Sequence, residues 1–437
     1  MERIDVSVHN EISRLEVVAV NSPGEEIARM RPEDFPRSLF DDILSPSETT
    51  AEHDVLRNVL EDSGAKVIRI RELLVEALKN APREEKSALL SRVSVAAGNH
   101  ALADEIIDWG PVDLEAALIS GLLWSKVGHQ APSLARLRAT HHAPHDMALQ
   151  PIANLMFMRD PCISIYNTIV PSRMTYSARR REPLLVSFAL QWGAGVPADH
   201  FIDSPHHADE PHRYSSFEGG DFLVLSDEAL AIGSSQRTSP QAIERLSKLL
   251  MERHSKLERI YVVLMPEERS MMHLDTILSQ VNTEHFLGFL PLISGQGYGD
   301  PLKVAVIERD KPARLVERMT VHDVLRDEFG AQVKIISCGG HDPVHQAREQ
   351  WTDGANGFCV KPGHVILYGR NQMTLQTLAE LGYEQVKLGA VLSREERKAL
   401  VMAAISKERV AYSFVGSELS RARGGPRCLT MPLIRGA

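Results

Sequence analysis

Residues 222–264 read FLVLSDEALAIGSSQRTSPQAIERLSKLLMERHSKLERIYVVL. Two apolar runs, 222–225 and 229–233, flank the polar triplet Ser226-Asp227-Glu228, which predicts a hairpin. A helix is expected over about 240–254, then a strand at 259–264. The same order returns later: runs at 357–360 and 364–368 flank Lys361-Pro362-Gly363, with a helix over about 372–381 and a strand near 385–388. Weaker versions occupy 162–200, 301–337 and the N-terminal third. Strand–strand–helix–strand units repeated about five times predict an α/β fold whose modules surround a centre. Such a ring would bring loops from distant parts of the chain into one site.

Working outward, LEVVAV at 15–20 reads as a buried strand, followed by a loop holding Pro23-Gly24. A helix is expected over about 46–62, with Ser45 as cap, Pro46 in the first position and Glu48 completing a capping box. A strand at 65–70 follows. From about 71 to 138 strand signals vanish and helical spacing takes over (Leu73, Leu74, Ala77, Leu78; Leu89, Leu90, Val93), which predicts a helical insertion. His141-His142-Ala143-Pro144-His145-Asp146 reads as an exposed turn. No cysteine or carboxylate pattern there supports a metal geometry.

The 437 residues are 43% apolar and 24% charged, ordinary globular values. They are expected to form one catalytic domain, 1–437, carrying the insertion. The net charge of −9 comes without a long basic run, so nothing points to nucleic acid or an anionic membrane as partner. No apolar stretch is long enough to cross a bilayer, and the first residues lack a secretory pattern. Cys162, Cys338, Cys359 and Cys428 are widely spaced, with no CxxC pair. A reducing, cytoplasmic setting is the expectation.

Four segments put polar residues where a purely structural segment has little use for them. In NLMFMRDP (154–161), Arg159 and Asp160 sit among apolar residues just before a proline. They could be a structural ion pair, or a buried carboxylate kept for chemistry. In FEGGDF (217–222), two glycines lie between two acids, which suits either a tight turn or a close backbone approach. In HLDT (273–276), an extended backbone would point His273 and Asp275 to one face, giving a tunable acid/base beside a carboxylate. A surface histidine is the plain alternative. In RGGPRCLTMP (423–432), a glycine-rich turn delivers Cys428 to the start of an apolar strand, with Arg423 and Arg427 near enough to favour the thiolate. A lone cysteine is otherwise most often an inert core residue.

Together these pieces suit one chemistry. A planar guanidinium pairs well with carboxylates through two-pronged hydrogen bonds, which Asp160, Glu218 and Asp275 could supply. Cys428 could attack its central carbon, and His273 could protonate the departing nitrogen. Acids around the thiol would raise its pKa until a cationic substrate arrives. There is no GxSxG and no Walker loop.

The ordered set NLMFMRDP, FEGGD, MHLDT (272–276) and RGGPRC resembles the arginine deiminases of the guanidine-modifying superfamily. Shorter matches are LFDDI (39–43), ARRRE (178–182), IGSSQRT (232–238), AREQWTDGAN (347–356) and YGRN (368–371). The resemblance implies a five-bladed α/β propeller with pseudo-fivefold symmetry. It implies hydrolysis of L-arginine to L-citrulline and ammonia without metal or organic cofactor, by a homo-oligomer. Cys428 resembles the nucleophile that forms an amidino–thioether, and His273 the general acid and then base. Asp160 and Asp275 match the acids that grip the guanidinium, and Glu218 the one that orients substrate and histidine. Arg179 and Arg237 resemble the arginines that hold the substrate carboxylate, assisted by Asn154. Arg423 matches a mobile arginine near the nucleophile. Asn21, Met158, Gly369 and Ala422 depart from common family residues, and none of them removes a catalytic group. The rivals are an amidinotransferase, a hydrolase of a modified arginine, and an inactive arginine-binding protein.

Overall fold

The apolar run Leu15–Val20 forms the middle strand of a three-stranded sheet, antiparallel to Met431–Arg435 and parallel to Lys66–Arg69. Five of its six residues are buried, as expected of a strand covered on both faces. The chain therefore closes on itself, its last strand completing its first sheet. The computed structural model describes residues 3–99, 102–127, 146–202, 215–295, 300–316 and 319–436.

The hairpin Phe222–Val224 with Ala229–Ser234 forms as expected, and Arg259–Leu264 pairs parallel to its second strand. Between them the helix Pro240–Arg253 is capped by the Ser239 hydroxyl and buries Ala242, Ile243, Leu246 and Leu250 along one face. Each fully buried leucine or isoleucine contributes about 1.5–3 kcal/mol, so this stripe fixes the helix against the sheet. A second hairpin, Leu278–Gln280 with His285–Gly288, is joined in parallel by Lys334–Ser337 after the helix Val321–Phe329. A third, Cys162–Ile165 with Thr168–Pro171, gains among the described residues a parallel bridge between Ile169 and Phe201 and an antiparallel one between Tyr166 and Val8.

Three expectations are corrected. The unit placed at 301–337 is divided: Val304–Glu308 joins the sheet of 222–264 by pairing antiparallel with Arg259–Leu264, and only Lys334–Ser337 belongs to the neighbouring hairpin. In the C-terminal sheet, Val410–Phe414 inserts between His364–Tyr368 and Glu384–Leu388, because a second helix, Arg394–Ala404, returns the chain to the sheet interior. The helix Pro46–Asp62 starts at the expected residue, but the Ser45 side chain does not cap it. The Ser45 N–H instead donates to the Glu418 carboxylate at 2.7 Å, a tertiary contact that a local pattern cannot foresee.

The helical stretch after residue 70 consists of Ile70–Asn80, Arg83–Ala96, Leu102–Ile106 and Pro111–Ser120. Their apolar faces share a core with Leu184, Leu185 and Phe188. Residues 128–138 of the expected insertion, and 141–145 of the expected histidine turn, lie outside the described residues. Among the described residues no helix is long and apolar enough to cross a membrane.

Candidate active site

Loops from four of these units meet around Cys428. Asp160 lies in the turn that enters Cys162–Ile165, and Glu218 lies just before the 3-10 turn Gly219–Asp221. The two glycines after Glu218 keep negative φ, so their purpose is close approach. A Cβ on Gly219 would run into the Arg159 carbonyl, and one on Gly220 would run into the His273 ring. The Gly220 N–H, thus bared, donates to Asp160 Oδ1 at 3.1 Å.

His273 is extended, but Leu274–Thr276 is a 3-10 turn, so His273 and Asp275 do not share a strand face as expected. They address different partners. His273 Nε2 is 3.1 Å from Glu218 Oε2, and Nδ1 is 3.7 Å from Asp160 Oδ1. Burial disfavours the imidazolium, but Asp160, Glu218 and Asp221 outweigh it and lift the His273 pKa to about 9. Asp275 instead accepts from Arg427 Nη1 at 2.8 Å through Oδ2, which lies 3.7 Å from Cys428 Sγ. Its Oδ1 has no partner among the described residues.

Cys428 is not at a strand start as expected. It sits in a turn three residues before Met431–Arg435, where its N–H donates to Asn356 Oδ1 at 3.0 Å. The Asn356 amide also donates to the Asp275 carbonyl at 2.9 Å, tying the Cys428 and Asp275 segments together. Burial first, then Asp275, Asp160 and Asp353, hold the Cys428 thiol well above its ordinary pKa, against the pull of Arg427. The empty site thus favours the thiol over the thiolate. Burial similarly raises Asp353 to about 7 although Arg423 opposes it.

The arginines expected at the substrate carboxylate all line the cavity, but each has a partner from the protein. Arg179 Nη1 donates to Asp160 Oδ2 at 2.7 Å, and its Nε and Nη2 clasp Glu182. Arg237 Nη1 donates to Glu218 Oε2 at 3.1 Å, and its guanidinium lies 4.5 Å from the Tyr176 ring centre. Asn154 Nδ2 donates to the Ser38 carbonyl at 2.7 Å. Arg423, at φ +69°, lies over the Trp351 ring at 3.5 Å. Asp160, His273 and Cys428 share the cavity wall with these four, while Glu218 and Asp275 stand one layer behind. The cavity is about 30 Å³, room for about one water molecule.

Asp160, Glu218 and His273 bring ligand-type atoms within 4.8 Å of one another. Arg179 and Arg237 already sit on the two carboxylates. The sequence reading missed Asn356, Asp353 and Glu182 as site residues. The stretches AREQWTDGAN and ARRRE drew attention to their neighbourhoods without assigning them a task.

An amidinotransferase of saxitoxin biosynthesis from Microseira wollei shares this fold at a TM-score of 0.51, 15% identity, covering 99% of this chain and 98% of that one. A dimethylarginine dimethylaminohydrolase, solved as an adduct with S-methyl-L-thiocitrulline, matches at a TM-score of 0.50, 12% identity, covering 95% and 99%. These likenesses define the fold as mixed α/β. The arginine deiminase family model matches residues 37–435. The arginine deiminase of Listeria monocytogenes is 33% identical over 439 residues, and that of Latilactobacillus sakei 31% over 440, each covering 98% of both chains. The chain belongs to the arginine deiminase family.

Proposed function

We propose that the protein hydrolyses L-arginine to L-citrulline and ammonia through a covalent intermediate on Cys428. The observation that carries this reading is the convergence of a buried thiol, a carboxylate-bound histidine and further buried acids on one cavity. The guanidinium of arginine would take the hydrogen bond that Arg179 makes to Asp160 and would add one to the open Oδ1 of Asp275. Its positive charge would offset the acids that keep the thiol protonated. The thiol then gives its proton to solvent, and the thiolate attacks the central carbon. His273, an imidazolium at neutral pH, gives its proton to the departing nitrogen, and ammonia leaves. The neutral imidazole then takes a proton from water, whose oxygen adds to the amidino carbon. Collapse of that adduct expels the sulfur, which takes up the hydroxyl proton to restore the thiol, and releases citrulline. Arg179 and Arg237, freed from their acids, would turn their forks to the α-carboxylate, with Asn154 and Arg423 closing around it.

In the same reading the sheet-and-helix units are the five blades of a pseudo-fivefold propeller within one domain, with the insertion at about 71–138. The four buried, unpaired cysteines among the described residues support a reducing, cytoplasmic setting.

The test is mass spectrometry of products after incubation with L-arginine, with and without glycine. Citrulline and ammonia in both cases are expected. Ornithine and guanidinoacetate, formed only with glycine, would make the protein an amidinotransferase. No product would turn attention to a modified arginine or to a binding role.

A further inference from the structure

Arg427, immediately before the nucleophile, is among the largest fully buried side chains in the protein. It never reaches the cavity. Its Nη1 holds Asp275 Oδ2 at 2.8 Å, and its Nη2 donates to the Phe222 carbonyl at 2.7 Å. The far side of the guanidinium is clasped by Glu11, with Nε to Oε2 at 3.2 Å and Nη2 to Oε1 at 3.1 Å. Glu11 belongs to the segment ahead of the first strand and is 416 positions away in sequence. Its Oε1 also accepts the Val224 N–H at 3.2 Å, which anchors it to the hairpin behind the site. A continuous line therefore runs Glu11, Arg427, Asp275, Cys428.

We propose that Glu11 is a positioning residue: through Arg427 it fixes which oxygen of Asp275 faces the substrate, and it limits how strongly the Arg427 charge acts on the Cys428 thiol. A guanidinium with one acid on each side is neutralised from both, so little of its field is left for the sulfur. With Glu11 gone, Arg427 would answer to Asp275 alone. The thiol would then feel a larger positive charge and ionise without substrate.

The surroundings support this. Burial opposes the Glu11 anion, yet Arg427 and Arg159, with help from Arg435, hold its pKa down to about 2. Glu11 is thus a constant negative charge at any working pH. The thiol faces Asp275 and Asp160, Asp353 from the loop after Trp351, and Arg427 and Arg423 from its own segment. Tyr368 of the C-terminal sheet interacts with it, and His273 shares its cavity wall. Arg427 favours the thiolate and, within the chain's own clasp, is the group Glu11 holds directly.

The inference rests on Cys428 as the nucleophile, and its first test does not need arginine turnover. The rate of Cys428 carboxamidomethylation by iodoacetamide is followed against pH in the full chain, with the alkylated peptide identified by mass. Glu11→Gln, nearly isosteric, is expected to lower the midpoint by about half to one pH unit. Glu11→Asp, which keeps the charge, is expected to stay near the wild-type midpoint. An unchanged or raised midpoint in Glu11→Gln overturns the proposal, as does an equal drop in both variants, which would signal packing rather than charge. If the amide variant does not fold, Glu11→Asp decides by steady-state kinetics. The shorter arm loosens Asp275, so kcat is expected to fall about three- to tenfold with KM held within about twofold. An unchanged kcat would overturn the positioning role. A wild-type protein that alkylates normally but makes no citrulline would refute the proposed reaction and leave this inference standing.

Discussion

The two sides of the cavity, each a wall with a layer of acids behind it, are built on opposite terms. On the histidine side every carboxylate oxygen has a partner. Asp160 accepts from Gly220 and Arg179, Glu218 from Thr175, Arg237 and His273, and Glu182 from Arg179. On the cysteine side, Asp275 Oδ1, Asp353 Oδ2, and Nε and Nη1 of Arg423 have none among the described residues. On the first side the acids are all satisfied internally, with Arg237 Nε the arginine nitrogen left open among the described residues, so a cationic ligand reaches these acids by exchange for the internal pairs. The second wall has open hydrogen-bonding capacity. A buried polar atom without a partner costs about 1–3 kcal/mol, which a bound guanidinium returns at the reacting end.

The sharpest way to break this comparison is Cys428→Ala. It removes the proposed nucleophile and leaves both sets of acids in place. Turnover should fall by at least about 10⁴-fold, while L-arginine affinity by calorimetry should stay within about tenfold. Substantial turnover in that variant would show that the cysteine wall does not do the covalent chemistry.

Glu218→Gln opens the closed circuit. Activity at neutral pH should fall by about a hundredfold. The sign of the pH effect follows from His273, whose pKa is about 9 in the folded chain. The imidazolium is available below about 9 and lost above it, so activity should decline on the alkaline side. Losing the Glu218 charge should move that limb to lower pH. The same raised pKa stabilises the fold fully below the ordinary histidine value of 6.5, and this contribution is lost as pH rises towards 9. A calorimetric unfolding temperature that fell over that window in wild type but not in His273→Gln would bear this out. An alkaline limb unmoved by Glu218→Gln would show that the pair does not set the proton donor.

The smallest expected effect is at Arg237→Ala. Preference for L-arginine over agmatine, which lacks the α-carboxylate, should fall by roughly tenfold, since Arg179 remains. An unchanged preference would mean that Arg237 never leaves Glu218 for the substrate.

Much of the site was legible because its residues are chemically out of place locally. A Glu-Gly-Gly-Asp run, a proline after Arg159-Asp160 and a cysteine behind two glycines each break the pattern that a strand or helix would maintain. What stayed illegible was contact at a distance. Glu11 meets Arg427, Asn356 bridges Cys428 and Asp275, and Glu349 accepts the N–H groups of Met373 and Thr374 at the start of the helix Gln372–Glu380. Each involves an ordinary polar residue in an ordinary local setting, so no periodicity or composition marks it.

The sequence by itself determined the alternation of hairpin, helix and strand, because side-chain period and turn residues act within a few positions. It also determined which thiol, imidazole and carboxylates were candidates. Only the tertiary structure decided that Val410–Phe414 slips between two strands nearer in sequence, and that His273 and Asp275 turn to different partners. It alone decided which charges are neutralised and which are left open. Those outcomes depend on burial and on distances between groups hundreds of positions apart, and a charge in a low-dielectric interior is governed by its neighbours in space, not in sequence.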